Sequence, residues 1–117
     1  MRCRSAAIII AVIVAPDLAR AGQYAPIDCG TATSAAERTI CGSYALGQDE
    51  ARMATLFSIA TSLVAMGQRG SIQDAQREWL ETRKTCGKSI PCLSKAYDAR
   101  IRELEDIITG IASRGPY

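Results

Sequence analysis

The sequence predicts an all-α fold: a small antiparallel bundle of three long helices and a short N-terminal helix, stapled by two disulfides. Three observations carry this expectation. Apolar residues recur at three- and four-residue steps in three separate stretches, which is the signature of amphipathic helices. Strand-like alternation is absent after residue 21. Four cysteines follow a segment built like an export signal, and an even cysteine count in a short exported chain reads as a disulfide framework.

The chain opens MRCRSAAIIIAVIVAPDLARAGQ. Arg2 and Arg4 make a positive start, Ala6 to Ala15 are apolar throughout, and Pro16 ends the run. Ala19-Arg20-Ala21 then offers a small-residue cleavage site before Gly22. This is the layout of a secretory signal peptide, residues 1–21. A bilayer span needs about 20 apolar residues, roughly twice this run. A lipoprotein needs a Cys directly after the apolar run, but Cys3 precedes it and Cys29 follows a polar stretch. The expected location is periplasmic or secreted, without a lipid anchor and without stable membrane insertion after signal cleavage. What remains is 96 residues, one small domain. The full chain has 14 Lys+Arg and 12 Asp+Glu; the segment takes Arg2, Arg4, Arg20 and Asp17 with it, leaving 11 of each. A neutral domain lacks the basic excess that non-specific nucleic-acid or membrane-surface binding requires.

Residues 22–32 are polar and turn-rich and read as an N-terminal loop. Ser34 with Glu37 three residues on is a capping-box pattern, so a short helix is expected from about 35 to 42. Met53, Leu56, Phe57, Ala60, Leu63 and Val64 make one apolar stripe, and Asp49 and Glu50 sit early, where the helix dipole favours negative charge. The second helix is therefore expected over about 47–67. GQRGS, 67–71, reads as a tight connection, with Ser71 and Asp74 opening the third helix. Along it, Ile72, Ala75, Trp79 and Cys86 share a side flanked by Gln76 and Arg83, and Gly87 suits the left-handed position that ends a helix. Pro91 suits the first turn of the last helix. Leu93, Tyr97, Arg100, Ile101, Leu104, Ile108 and Ile111 recur along that helix until Gly110 and SRGPY dissolve the pattern. Residues 112–117 read as a flexible tail.

The sulfur chemistry follows from spacing. Structural zinc favours ligands in close pairs, whereas eleven residues separate Cys29 from Cys41, five separate Cys86 from Cys92, and the chain has no His. A redox pair of the thioredoxin kind needs C-x-x-C beside a parallel sheet. Disulfides fit best. Four cysteines allow three pairings; 29–41 with 86–92 is favoured because each closes a local loop. The crossed pairings would close longer ones. A slim core makes such staples matter. Without His there is no ordinary Ser-His or Cys-His nucleophile pair, and most carboxylates stand beside Arg or Lys on polar faces. The chain is expected not to be an enzyme, with no metal and no cofactor. Trp79 reads as core. Arg83 and Arg100 lie near apolar stripes and are expected half-buried, with Glu37 and Glu78 as candidate partners.

Two stretches, IDCGTATSAAERTIC and QREWLETRKTCGKSIPCLSKAYDARIREL, resemble the LprI-like lysozyme-inhibitor family, N-terminal domain type. The pattern falls on Cys29, Glu37, Arg38, Ile40, Cys41, Asp49, Gln76, Trp79, Arg83, Cys86, Cys92, Tyr97, Arg100 and Leu104, and covers about 28–105. Two positions depart from it: Gln48 stands where the family usually has Leu, and Phe57 where it often has Tyr. The resemblance implies an exported, disulfide-stapled helical domain over 28–111. It makes Glu37, Gln76, Trp79, Arg83, Tyr97 and Arg100 structural motif residues. It also implies inhibition of lysozyme, or of another cell-wall lytic enzyme, by protein binding. Two connections could carry a basic or hydroxyl tip into a catalytic cleft: GQRGS with Arg69, and GKSIP with Lys88 and Ser89. The rival expectation is a structural or interaction module of the cell envelope with no inhibitory activity.

Overall fold

The computed structural model describes residues 24–114. The expected signal segment, 1–21, lies outside them, as do residues 115–117. Four helices follow in order: α1 (Ala35–Cys41), α2 (Tyr44–Ser62), α3 (Met66–Thr85) and α4 (Ile90–Ala112). There is no strand among the described residues. No helix among them is long and apolar enough to cross a membrane.

Each start has a local cause. At α1 the Ser34 hydroxyl accepts from Glu37 N–H at 3.1 Å, and the Glu37 carboxylate accepts back from Ser34 N–H at 3.4 Å, the reciprocal capping box. At α2 the Ser43 hydroxyl accepts from Leu46 N–H. At α4 the Ser89 hydroxyl accepts from Cys92 N–H, with Pro91 in the first turn. Gly87 has φ 55° directly after the end of α3, a conformation that costs glycine nothing.

Three expected boundaries move. Helix α2 begins at Tyr44 and ends at Ser62 rather than spanning 47–67, because Ser43 caps it earlier. Helix α3 begins at Met66, so GQRGS is its first two turns and not a connection. The connection is only Leu63–Ala65, and Ser71 donates within the helix to the Gly67 carbonyl. A Cβ at Gly67 or Gly70 would meet nothing within 4 Å, so neither glycine is there for a turn or a close approach. Helix α4 passes through Gly110 to Ala112 because Ile111 is buried at 2% exposure and holds the last turn on the core. Ala112 therefore belongs to the helix, and Ser113 N–H still bonds the Thr109 carbonyl at 2.9 Å.

Short connections turn α3 antiparallel to both of its neighbours, which leaves α2 and α4 side by side and parallel. The core forms between them and under α1: Ile40, Leu46, Met53, Phe57, Ala60, Leu93, Tyr97, Ile101, Leu104 and Ile111 are all buried. The segment before α1 lies back along α2 as a strap. Tyr24 stacks on Phe57 with ring centroids 5.2 Å apart, Ile27 N–H reaches Glu50, and Cys29 is bonded to Cys41. Phe57 lies seven residues beyond Glu50, a rise of about 10.5 Å along α2, and the segment from Tyr24 to Ile27 covers that distance from one to the other. The second bridge joins Cys86 to Cys92 across the α3–α4 turn; the Cα–Cα distances are 5.7 Å and 5.5 Å. Both bridges therefore sit at the end of the bundle where α2 and α4 begin.

Candidate functional site

A stripe recurring every three to four residues faces the bundle axis from each long helix. In α2 it is Leu46, Glu50, Met53, Phe57 and Ala60; in α3 it includes Ile72, Gln76 and Arg83; in α4, Leu93, Tyr97, Arg100, Leu104 and Ile111. Polar side chains interrupt all three stripes at matching heights, and they meet.

The first meeting is Glu50, Arg83 and Tyr97. Arg83 Nη1 donates to Glu50 Oε2 at 3.0 Å and to the Tyr97 oxygen at 3.3 Å. The Tyr97 hydroxyl donates to the same Glu50 oxygen at 2.5 Å. The other carboxylate oxygen, Oε1, accepts the strap's Ile27 N–H at 3.3 Å. Glu37 stands 4.0 Å from Arg83 Nη2. The guanidinium carbon lies 5.3 Å from the centroid of the Trp79 ring, a cation–π distance. Trp79 in turn meets Tyr97 edge-on at 5.2 Å and donates its indole N–H to the Ala96 carbonyl at 3.0 Å. Arg83 Nε is buried with no acceptor.

The second meeting is one turn along. Arg100, only 1% exposed, donates from Nε to Gln76 Oε1 at 2.9 Å, from Nη1 to Glu103 at 2.7 Å and from Nη2 to the Ile72 carbonyl at 3.3 Å. Gln76 uses its own N–H on the Met53 sulfur at 3.2 Å.

The six motif residues, Glu37, Gln76, Trp79, Arg83, Tyr97 and Arg100, thus fall in one inward-facing framework. Both arginines are more deeply buried than half; of the expected partners Glu37 does pair with Arg83, Glu78 pairs with neither, and Glu50 and Glu103 supply the closer carboxylates. Glu50 was legible in principle, because with α2 starting at Tyr44 it falls on the Leu46–Met53–Phe57 stripe. Burial, and then the Glu50 charge beside it, hold the Tyr97 hydroxyl well above the usual phenol range. Glu50 is spoken for by a cation, a hydroxyl and an amide, and Glu37 by its capping box, so the cluster joins helices rather than offering a free acid or base.

A groove of about 590 Å³ opens between the strap, α1 and α3. Pro26, Ile27, Glu37, Leu80, Arg83 and Lys84 are among its lining residues.

Of the tip residues expected from sequence, Arg69 is not on a loop. It lies in the first turn of α3, where Nε donates to the Thr61 carbonyl at 2.8 Å and Nη2 to the Val64 carbonyl at 3.3 Å. It closes the end of α2, whose last carbonyls need donors, and offers no free tip. Lys88 and Ser89 do lie exposed in the α3–α4 turn, and the Ser89 oxygen caps α4. No family model matches the chain, and neither does any curated protein or solved structure.

Proposed function

We propose that the chain is an exported, non-catalytic protein that inhibits a peptidoglycan-cleaving glycosidase of the lysozyme class by binding it. The reading starts from the resemblance to the LprI-like family. One structural observation supports it: six residues of that pattern are tied into the helix framework. Glu37, Gln76, Trp79, Arg83, Tyr97 and Arg100 tie the helices together, and the cysteines fasten the strap and the α3–α4 turn. A pattern spent on framework leaves recognition to exposed connections on a rigid body, which is how a small binding inhibitor keeps its ordering cost low. The two disulfides are compatible with an oxidising compartment outside the cytoplasm.

The test is a turbidity assay of lysozyme on bacterial cells, with and without the oxidised protein at micromolar concentration, using lysozymes of several types. Slowed clearing is the expected result; undiminished lysis by every lysozyme tried refutes the reading.

A second reading, an envelope interaction module without inhibitory activity, is favoured by the α2–α3 end. There Ile59, Leu63 and Met66 are 41%, 49% and 83% exposed. Co-purification of an envelope protein that depends on these three side chains, together with normal lysozyme activity, would select it.

A further inference from the structure

All three lysines of the chain, Lys84, Lys88 and Lys95, lie within twelve residues around the α3–α4 turn. No acidic residue occurs between Glu81 and Asp98. The one other cation in that interval, Arg83, is buried and neutralised by Glu50. The three lysines are exposed, and no ion pair or hydrogen bond holds any of their ammonium groups among the described residues. Six of the eight described arginines behave differently: Arg38, Arg52, Arg69, Arg77, Arg83 and Arg100 all bond a carboxylate, a hydroxyl or a carbonyl, which leaves Arg102 and Arg114, in or after α4 and remote from the turn, as the other cations without a side-chain bond. Residues 24–114 carry eleven acids and eleven bases, so an apex holding three unpaired cations leaves the rest of the surface with a net negative charge. The apex is also stiff. The Cys86–Cys92 bridge closes it, Gly87 makes its turn, Ser89 caps the next helix, and Ile90 stands 52% exposed among the lysines.

We infer that this lysine-bearing apex is the surface that enters the acidic, carboxylate-lined cleft of the glycosidase. The inference rests on the inhibitor reading above and names the part of the molecule that acts. Three lysines on a molecule neutral overall make a small patch for a flat anionic membrane, whereas a cleft lined by carboxylates focuses its field onto an inserted pole. A concave acidic site sees the pole alone. Clamping by the disulfide lowers the entropy lost when the apex is fixed there, and Ile90 supplies an apolar contact between the charges.

The experiment compares the oxidised full chain with a triple variant, Lys84→Glu, Lys88→Glu and Lys95→Glu, and with an Arg102→Glu, Arg114→Glu control. Circular dichroism confirms that each folds. Each is assayed for inhibition of purified lysozymes at low and high salt, and for sedimentation with vesicles rich in anionic lipid. The triple variant should lose inhibition by about a hundredfold or more, and wild-type inhibition should weaken with salt while the control stays within about threefold of wild type. If wild type inhibits and the triple variant inhibits equally, the apex assignment is overturned and the inhibitor reading stands. If wild type inhibits no lysozyme, both fall. Lysine-dependent sedimentation with vesicles in the absence of inhibition overturns the assignment in favour of a lipid surface.

Discussion

The two ends of the bundle are held by different physics. At the end where α2 and α4 begin, three ionisable side chains are buried together, a strap lies across them and two disulfides close the chain around them. At the other end Phe57, Ala60, Ile72, Leu104 and Ile111 pack without a disulfide, and the polar ties there run to backbone carbonyls, from Arg69 to Thr61 and Val64 and from Arg100 to Ile72. Apolar packing is tolerant and additive in small steps. A buried charge cluster is all-or-none, because each member left alone carries its full desolvation cost. The difference teaches where this domain should be fragile.

The comparison breaks hardest at Glu50. Glu50→Ala leaves the Arg83 charge buried without its partner, and the expected loss is about 3–5 kcal/mol, enough to leave little folded protein. Urea unfolding followed by circular dichroism measures it. The double variant Glu50→Leu, Arg83→Met removes both charges and should recover most of the loss. A double variant no more stable than Glu50→Ala would mean that strap contacts, and not charge pairing, dominate this end.

The bridges come next. Replacing Cys29 and Cys41 together by Ser should cost about 3 kcal/mol, and the shorter loop closed by Cys86 and Cys92 about 2 kcal/mol, from the loop-length dependence of chain entropy. Thermal melts of the two double variants check the order. The first should also free Tyr24, seen as faster proteolysis ahead of Ala35. Equal losses, or the reverse order, would place the strap's value elsewhere.

The smallest effect at neutral pH sharpens the contrast. Because burial and the Glu50 charge raise the Tyr97 hydroxyl above its usual range, the unfolded chain releases that phenolic proton at lower pH than the folded chain does. The stability tied to this proton is complete below pH about 10, the unfolded phenol's value, and is lost as pH rises beyond it. Melting temperature should therefore fall above pH 10 more steeply in wild type than in Tyr97→Phe. Leu104→Ala, from the apolar region, should lower the whole curve by about 2–4 kcal/mol and keep the wild-type slope. Parallel slopes for wild type and Tyr97→Phe would sink the argument.

The apolar region was more legible in the sequence than the charged one. The α4 stripe from Leu93 to Ile111 was readable because hydrophobic periodicity reports burial directly. Arg69 was misplaced because two glycines within four residues look like a turn, while the signal that opposed them was tertiary: a guanidinium reaching back eight residues to Thr61. Glu50 reads in the sequence only as an acid that the helix dipole favours, since nothing local points to the arginine thirty-three residues away that it faces. Arg83 and Arg100 could be flagged by their position on stripes, but their partners depend on how α2, α3 and α4 are set against each other.

The backfolded strap has a practical consequence for orientation. Tyr24 rests beside Phe57, well along α2, and the last turn of α4, with Ile111 buried, lies the whole length of that helix from the α3–α4 turn. A probe or antibody directed at Tyr24 or at Ser113 would therefore sit far from Lys88 and leave the cationic nose open to the solution.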